Sequence, residues 1–237
     1  MDPLFILDTG GKLLAGIPLL FQLVLPSLAV GLVLAVGLAL MRLSPLQPLS
    51  AAAYLYVYIF RSTPLLVQVF IIYYGLGQFP EIRQSIAWEF LRHPYWCAVL
   101  AFTLNTAAYS CEIIRGGIQA VPWGQIEAAR ACGMSGPLLL RRIIFPIALR
   151  QALPGYGNEI ILMVKATSLA SIITLLEVTG IAHRIISETY RALEVFIAAG
   201  AIYLFINFLL TRGVKALEHY LSPHLRDAPA PAVIEVH

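Results

Sequence analysis

Charge is what this chain has least of. Asp, Glu, Lys and Arg make up 12% of its 237 residues, against about a quarter in a soluble domain, which excludes a water-soluble globule. Cysteine is scarce and odd in number. Cys97, Cys111 and Cys132 form no disulfide framework and read as small reduced core residues. The N-terminus has Asp2 and Asp8 where a secretory leader would have basic residues, so a cleaved signal peptide is not expected. No G-x-x-x-x-G-K-[ST] loop occurs, because Gly10-Gly11-Lys12 lacks both the leading Gly and the following Ser or Thr. If ATP drives this protein, ATP and its magnesium are held by another chain. His183, His219 and His224 have no second ligand at metal spacing, so no metal site is expected. The net charge of +3 is spread over several loops, which argues against a nucleic-acid partner.

What is there is apolar. Hydrophobic residues make up 59% of the chain, in blocks near the ~20 residues that cross a bilayer as helix. The sequence therefore predicts an all-α polytopic membrane protein with about five transmembrane helices. The spans fall near Leu19–Met41, Ala51–Gly77, Tyr95–Ile114, Arg150–Ile173 and Val195–Leu210. The second is interrupted by Arg61-Ser62-Thr63-Pro64, and proline there predicts a kink or elbow. Residues 78–94 and 177–194 read as polar surface segments, and the latter as a helix. The permease domain is expected to occupy 1–221, with a Pro- and Ala-rich disordered tail over 222–237. Of the 16 Lys and Arg, ten fall on the side of the 122–146 loop, five on the other, and Lys165 within a span. The positive-inside rule then puts the N-terminus outside and the C-terminus in the cytoplasm.

The stretch from Pro122 to Pro146 is the one long polar interruption. Gln125 to Cys132 is rich in good helix formers and Gly133 supplies a stop. Ser135 is a suitable N-cap for a second short helix, Pro137 is tolerated in its first turn, and Pro146 is expected to close or kink it. With small residues at Ala128, Ala129, Ala131 and Gly133, the loop reads either as a compact knob for insertion into a groove or as a plain linker.

Glu127-Ala128-Ala129, with Gly133 four positions beyond Ala129 and then Ile143 and Pro146, resembles the EAA signature of bacterial ABC importer permeases; Phe145 stands where Leu is usual. Phe60 to Gly75, Asn105 to Ser135 and Asn158 to Ser171 are similar to the polar amino-acid permeases, above all the histidine, lysine/arginine and opine systems. Ser62 replaces a Gly often seen there. The resemblance implies the type I importer permease fold, a multi-pass protein of the bacterial inner membrane and a translocator of polar, basic amino acids or opines. It also implies several partners: a second, different permease subunit, two ATP-binding subunits and a periplasmic amino-acid-binding protein. Glu127, Ala128, Ala129, Gly133 and Pro146 would then couple this chain to the ATPase.

Ionisable groups within spans cost about 2.5–3.5 kcal/mol each, so each needs a reason. Glu159 lies nine residues past Arg150, about 13–14 Å along a helix; Asn105 lies ten before Arg115, about 15 Å. Both fall near the midplane of a ~30 Å core, and a carboxylate with an amide there suits an ammonium or cationic side chain. Glu159 and Asn105 are the expected substrate residues. The competing structural role for Glu159 is pairing with Lys165 or capping near Gly155 and Gly157. Asn158 and Gln68 suit helix–helix hydrogen bonds. Arg61, Glu112 and Arg115 are expected to snorkel or pair locally at the inner side. The rival function is an ion-coupled secondary transporter using Glu159; that class has more helices and inverted repeats. An intramembrane enzyme ranks last, since the spans hold no nucleophile–base or metal-ligand pair.

Overall fold

Leu, Val, Ala and Gly fill Ile17–Arg42 around its whole circumference, and the segment is one 26-residue helix, α2. A computed structural model describes residues 3–221, and these are helical almost throughout with no strand among them. The tail over 222–237, expected to be disordered, lies outside the described residues.

The first span begins earlier than expected. Helix α1 (Pro3–Leu13) passes through a single 3-10 turn at Leu14–Gly16 into α2, so that Leu4–Arg42 is one 39-residue helical run. Pro18 does not interrupt it because it sits in the first turn of α2, where its missing N–H has no intrahelical partner to lose. The tertiary structure supplies the rest: α1 packs against α11 (Val178–Thr189) and α12 (Ala192–Leu221).

The elbow at Pro64 is present and sharp. Helix α3 (Gln47–Ser62) stops at Thr63, whose backbone is extended. Helix α4 (Leu65–Phe70) then continues through a π turn at Ile71–Gly75 and a 3-10 turn to Gln78. The two arms differ in direction by 103°. Gln68 holds the corner, its Nε2 donating to the Phe60 carbonyl at 2.9 Å and to Thr63 Oγ1 at 2.8 Å. The first of these bonds satisfies the carbonyl that proline, four residues on, leaves unpaired.

Two four-residue helices, α5 (Pro80–Arg83) and α6 (Trp88–Leu91), lead to the central helix α7 (Pro94–Gln119). It packs most extensively on α2, then on α10 (Phe145–Ala166) and α3. Small residues allow this closeness: a methyl group placed on Gly31 of α2 would collide with the Thr106 side chain of α7. Gly117 and Ala152 make the equivalent approach between α7 and α10.

The fourth span also departs from expectation. Instead of starting beyond Arg150, it begins at the short helix α9 (Gly136–Leu139). It then runs through a π turn at Leu140–Ile144, through α10 and into a 3-10 segment ending at Ile173. Pro146 therefore neither closes nor breaks the helix. It occupies the first turn of α10, and the wider π turn just before it absorbs the missing backbone donor. After Thr174, at φ 70°, the chain bends by 46° into α11. Among the described residues three helices are long and apolar enough to cross a membrane, or up to five spans if each bent pair counts as one.

Candidate solute site and coupling loop

Thr106 and Glu159 meet between α7 and α10, the hydroxyl donating to the carboxylate Oε1 at 2.7 Å. Both are buried. Counting residues from Arg115 and Arg150 puts Asn105 and Glu159 at one depth, and this hydrogen bond from the neighbouring Thr106 has that register. Glu159 takes neither competing role considered for it. Its partner is a hydroxyl on another span, while Lys165, six residues on, is exposed.

A cavity of about 410 Å³ opens beside this pair, lined by Arg61, Ser62, Thr63, Pro64, Leu65, Asn105, Tyr109, Glu159, Leu162, Met163 and Ala166. The structure thus brings both expected substrate residues to one wall. Asn105 also contributes to the fold, donating Nδ2 to Gln68 Oε1 at 3.0 Å. Gln68 has the bonding role expected of it. Arg61, exposed at the end of α3, lines this cavity, and its guanidinium lies 5.1 Å from the Tyr109 ring centre. Burying charged and amide groups beside apolar walls strengthens their pull on a solute of matching polarity.

Sequence reasoning missed Thr106 and Tyr109. Tyr109 was accessible: Asn105, Tyr109 and Glu112 follow at spacings of four and three, one face of a helix. Thr106 carries no such signal.

Towards the loop end, Glu112 is held from two sides. Arg115 donates to its Oε2 at 2.6 and 2.9 Å, and Arg42 Nε donates to its Oε1 at 3.3 Å. Local ion pairing is therefore the observed state of Glu112 and Arg115.

The loop is the expected pair of short helices. Helix α8 (Trp123–Ala131) ends in a Schellman arrangement: Met134 N–H donates to the Ala129 carbonyl and Gly133 N–H to that of Arg130. Gly133 takes φ 79°, a conformation open to glycine and strained for other residues. Glu127 and Ala128 are exposed, whereas Ala129 is buried. Trp123 Nε1 donates to Glu127 Oε1 at 2.8 Å and Arg130 lies over the same indole ring. Ser135 is extended at the start of α9 but its side chain makes no cap bond. Pro146 is half-buried at the base of α10, beyond the knob itself.

A helical membrane bundle with a polar cavity between spans and a structured loop at one end defines a transporter subunit. Residues 27–222 match the family described as binding-protein-dependent transport system inner membrane component, and the chain belongs to that family as the permease component of an ABC importer. It is 60% identical over 230 residues to the octopine transport system permease protein of Rhizobium meliloti, covering 97% of this chain and 94% of the relative. It is 56% identical over 241 residues to the nopaline transport system permease protein of Agrobacterium fabrum, covering 100% of both. Among solved structures, an amino acid ABC transporter crystallised with histidines matches with a TM-score of 0.82 at 35% identity, over 93% of this chain and 99% of that one. The type I importer permease fold expected from the EAA signature is the fold observed. Membership of this family sets aside the ion-coupled secondary transporter.

Proposed function

We propose that the chain is one half of the transmembrane unit of an importer for a guanidinium-bearing amino acid or opine, with the cavity between α3, α7 and α10 as its solute site. One observation carries this reading: Glu159 and Asn105, from different spans, line one cavity beside Arg61. Glu159 with Asn105 would receive the cationic group and Arg61 the carboxylate, a division that charge-assisted hydrogen bonding favours. Octopine and nopaline, the solutes named for the relatives, are both arginine conjugates with a guanidinium and more than one carboxylate.

The 122–146 loop, through Glu127, Ala128, Ala129, Gly133 and Pro146, would dock on an ATP-hydrolysing subunit, two of which serve the pair of permeases. A second, different permease completes the pathway, and a soluble binding protein delivers the solute from the periplasm across the bacterial inner membrane. ATP and magnesium belong to the partner subunits. In this arrangement the N-terminus faces outward and the loop the cytoplasm, as the Lys and Arg bias supports. Residues 1–221 act as a single permease domain. Uptake of octopine and of arginine into proteoliposomes, with and without the ATP-binding subunits, tests the reading. Uptake that needs ATP and those subunits is the expected result, and uptake driven by an ion gradient alone overturns it.

A further inference from the structure

A second cavity, about 390 Å³, lies on the loop side of the first and is lined by Arg42, Tyr54, Val57, Tyr58, Arg61, Ser62, Tyr109 and Glu112. The two cavities share Arg61, Ser62 and Tyr109, so the Arg61–Tyr109 contact stands between them. Asn105, Tyr109 and Glu112 descend one face of α7, and Glu112 lies about 10 Å below Asn105 at 1.5 Å per residue. A solute leaving Glu159 towards the loop would meet this chamber next.

Its contents have a definite chemistry. Arg115 engages Glu112 through Oε2 alone, which leaves Oε1 free to face another donor. That donor is Arg42, whose Nε lies 3.3 Å from Oε1 while its guanidinium carbon lies 4.9 Å from the centre of the Tyr54 ring. One carboxylate oxygen and one aromatic face are the contacts that a free guanidinium would seek. Arg42 is the last residue of α2, so its long side chain hangs from a helix end.

We infer that this lower chamber is a second guanidinium subsite, formed by Glu112 Oε1 and the Tyr54 ring, and that Arg42 occupies it as an internal ligand until a solute displaces it. With Arg42 seated, the chamber lining has two arginines to one glutamate, so an arriving cation is held weakly and passes on. The inference rests on the reading of a guanidinium-bearing solute given above, yet Arg42, Tyr54 and Glu112 line the lower chamber and not the first cavity.

Equilibrium binding of radiolabelled L-arginine to the complete transporter in lipid nanodiscs, all subunits present, tests it. Arg42→Ala is expected to add one bound arginine per copy of this chain relative to wild type, and Arg42→Gln, which keeps the stem packing, to do the same. Adding Glu112→Gln to either is expected to remove that increment. Glu159→Gln is expected to remove the wild-type arginine while leaving the Arg42→Ala increment in place. The second subsite is overturned if neither Arg42 variant gains an arginine while the Glu159-dependent one still binds, or if the gain survives Glu112→Gln. An increment in Arg42→Ala with no arginine bound by wild type overturns the reading of the first cavity and supports this one. No binding in any variant overturns both.

Discussion

Thr106 binds Glu159 across the α7–α10 interface at 2.7 Å, which makes the carboxylate at once a cavity-lining group and a helix-to-helix link. The two roles separate experimentally. Glu159→Gln keeps an oxygen that can accept from Thr106 but loses the charge, so assembly should persist while ATP-dependent uptake falls at least tenfold. Thr106→Val keeps the charge and frees the carboxylate to move; a bond between spans contributes about 0.6–2 kcal/mol. Its expected signature is a KM raised severalfold with a smaller change in maximal rate. Unchanged uptake kinetics in Glu159→Gln would remove this residue from the solute site.

Gly31 permits the same neighbourhood to form. Any side chain there meets Thr106 and the Thr103 carbonyl. Gly31→Ala is therefore expected to cost about 1–3 kcal/mol by overpacking, read as a lower Tm of the detergent-solubilised complex. Gly37 of the same helix has open space, and Gly37→Ala should leave the Tm unchanged.

At the loop, Gly133 supplies the left-handed residue that ends α8. Gly133→Ala should cost about 1 kcal/mol locally and weaken coupling modestly. Gly133→Asp adds a charge to a turn of the proposed docking loop and should abolish uptake. Co-purification of the ATP-binding subunits with each variant provides the check. If Gly133→Asp leaves both docking and uptake intact, the loop is not the coupling element.

Glu177 is the most completely satisfied buried carboxylate in the bundle. It accepts from Thr179 N–H and Gly180 N–H at 2.9 Å each and from the Tyr203 hydroxyl at 2.6 Å, thereby starting α11 and tying it to α12. Removing an N-cap costs about 0.5–2 kcal/mol, and here the Tyr203 hydroxyl also loses one of its partners, keeping Thr179 Oγ1. Glu177→Ala should lower the Tm more than Tyr203→Phe, which gives up the hydroxyl's bonds to Glu177 and Thr179 but keeps both cap bonds. Solute affinity should change little in either variant once the complex is assembled.

Much of this architecture was legible in advance, for reasons that particular residues make clear. Proline after Arg61-Ser62-Thr63 dictated the elbow, and simple counting from Arg115 and Arg150 put Asn105 and Glu159 at one level. What failed were inferences about where helices stop. The first span reads from Leu19, and Pro146 as closing or kinking a helix, yet α1, packed on α12, extends the first run back to Leu4 and a π turn carries the chain through Pro146. The Thr106–Glu159 and Glu177–Tyr203 bonds depend on partners far away in sequence, 53 and 26 residues off.

The helix from Gly136 to Ile173 runs without a gap past Glu159. Its loop end and its carboxylate lie on one continuous helical run, some 23 residues and about 35 Å apart, with the π turn at Leu140–Ile144 and Pro154 between them as the places where it bends most readily. If the loop docks as proposed, a push received at Gly136 travels to Glu159 along that run. Under that reading the release of cargo is timed by leverage, and lengthening the run by one residue would twist the carboxylate out of the cavity by about 100°.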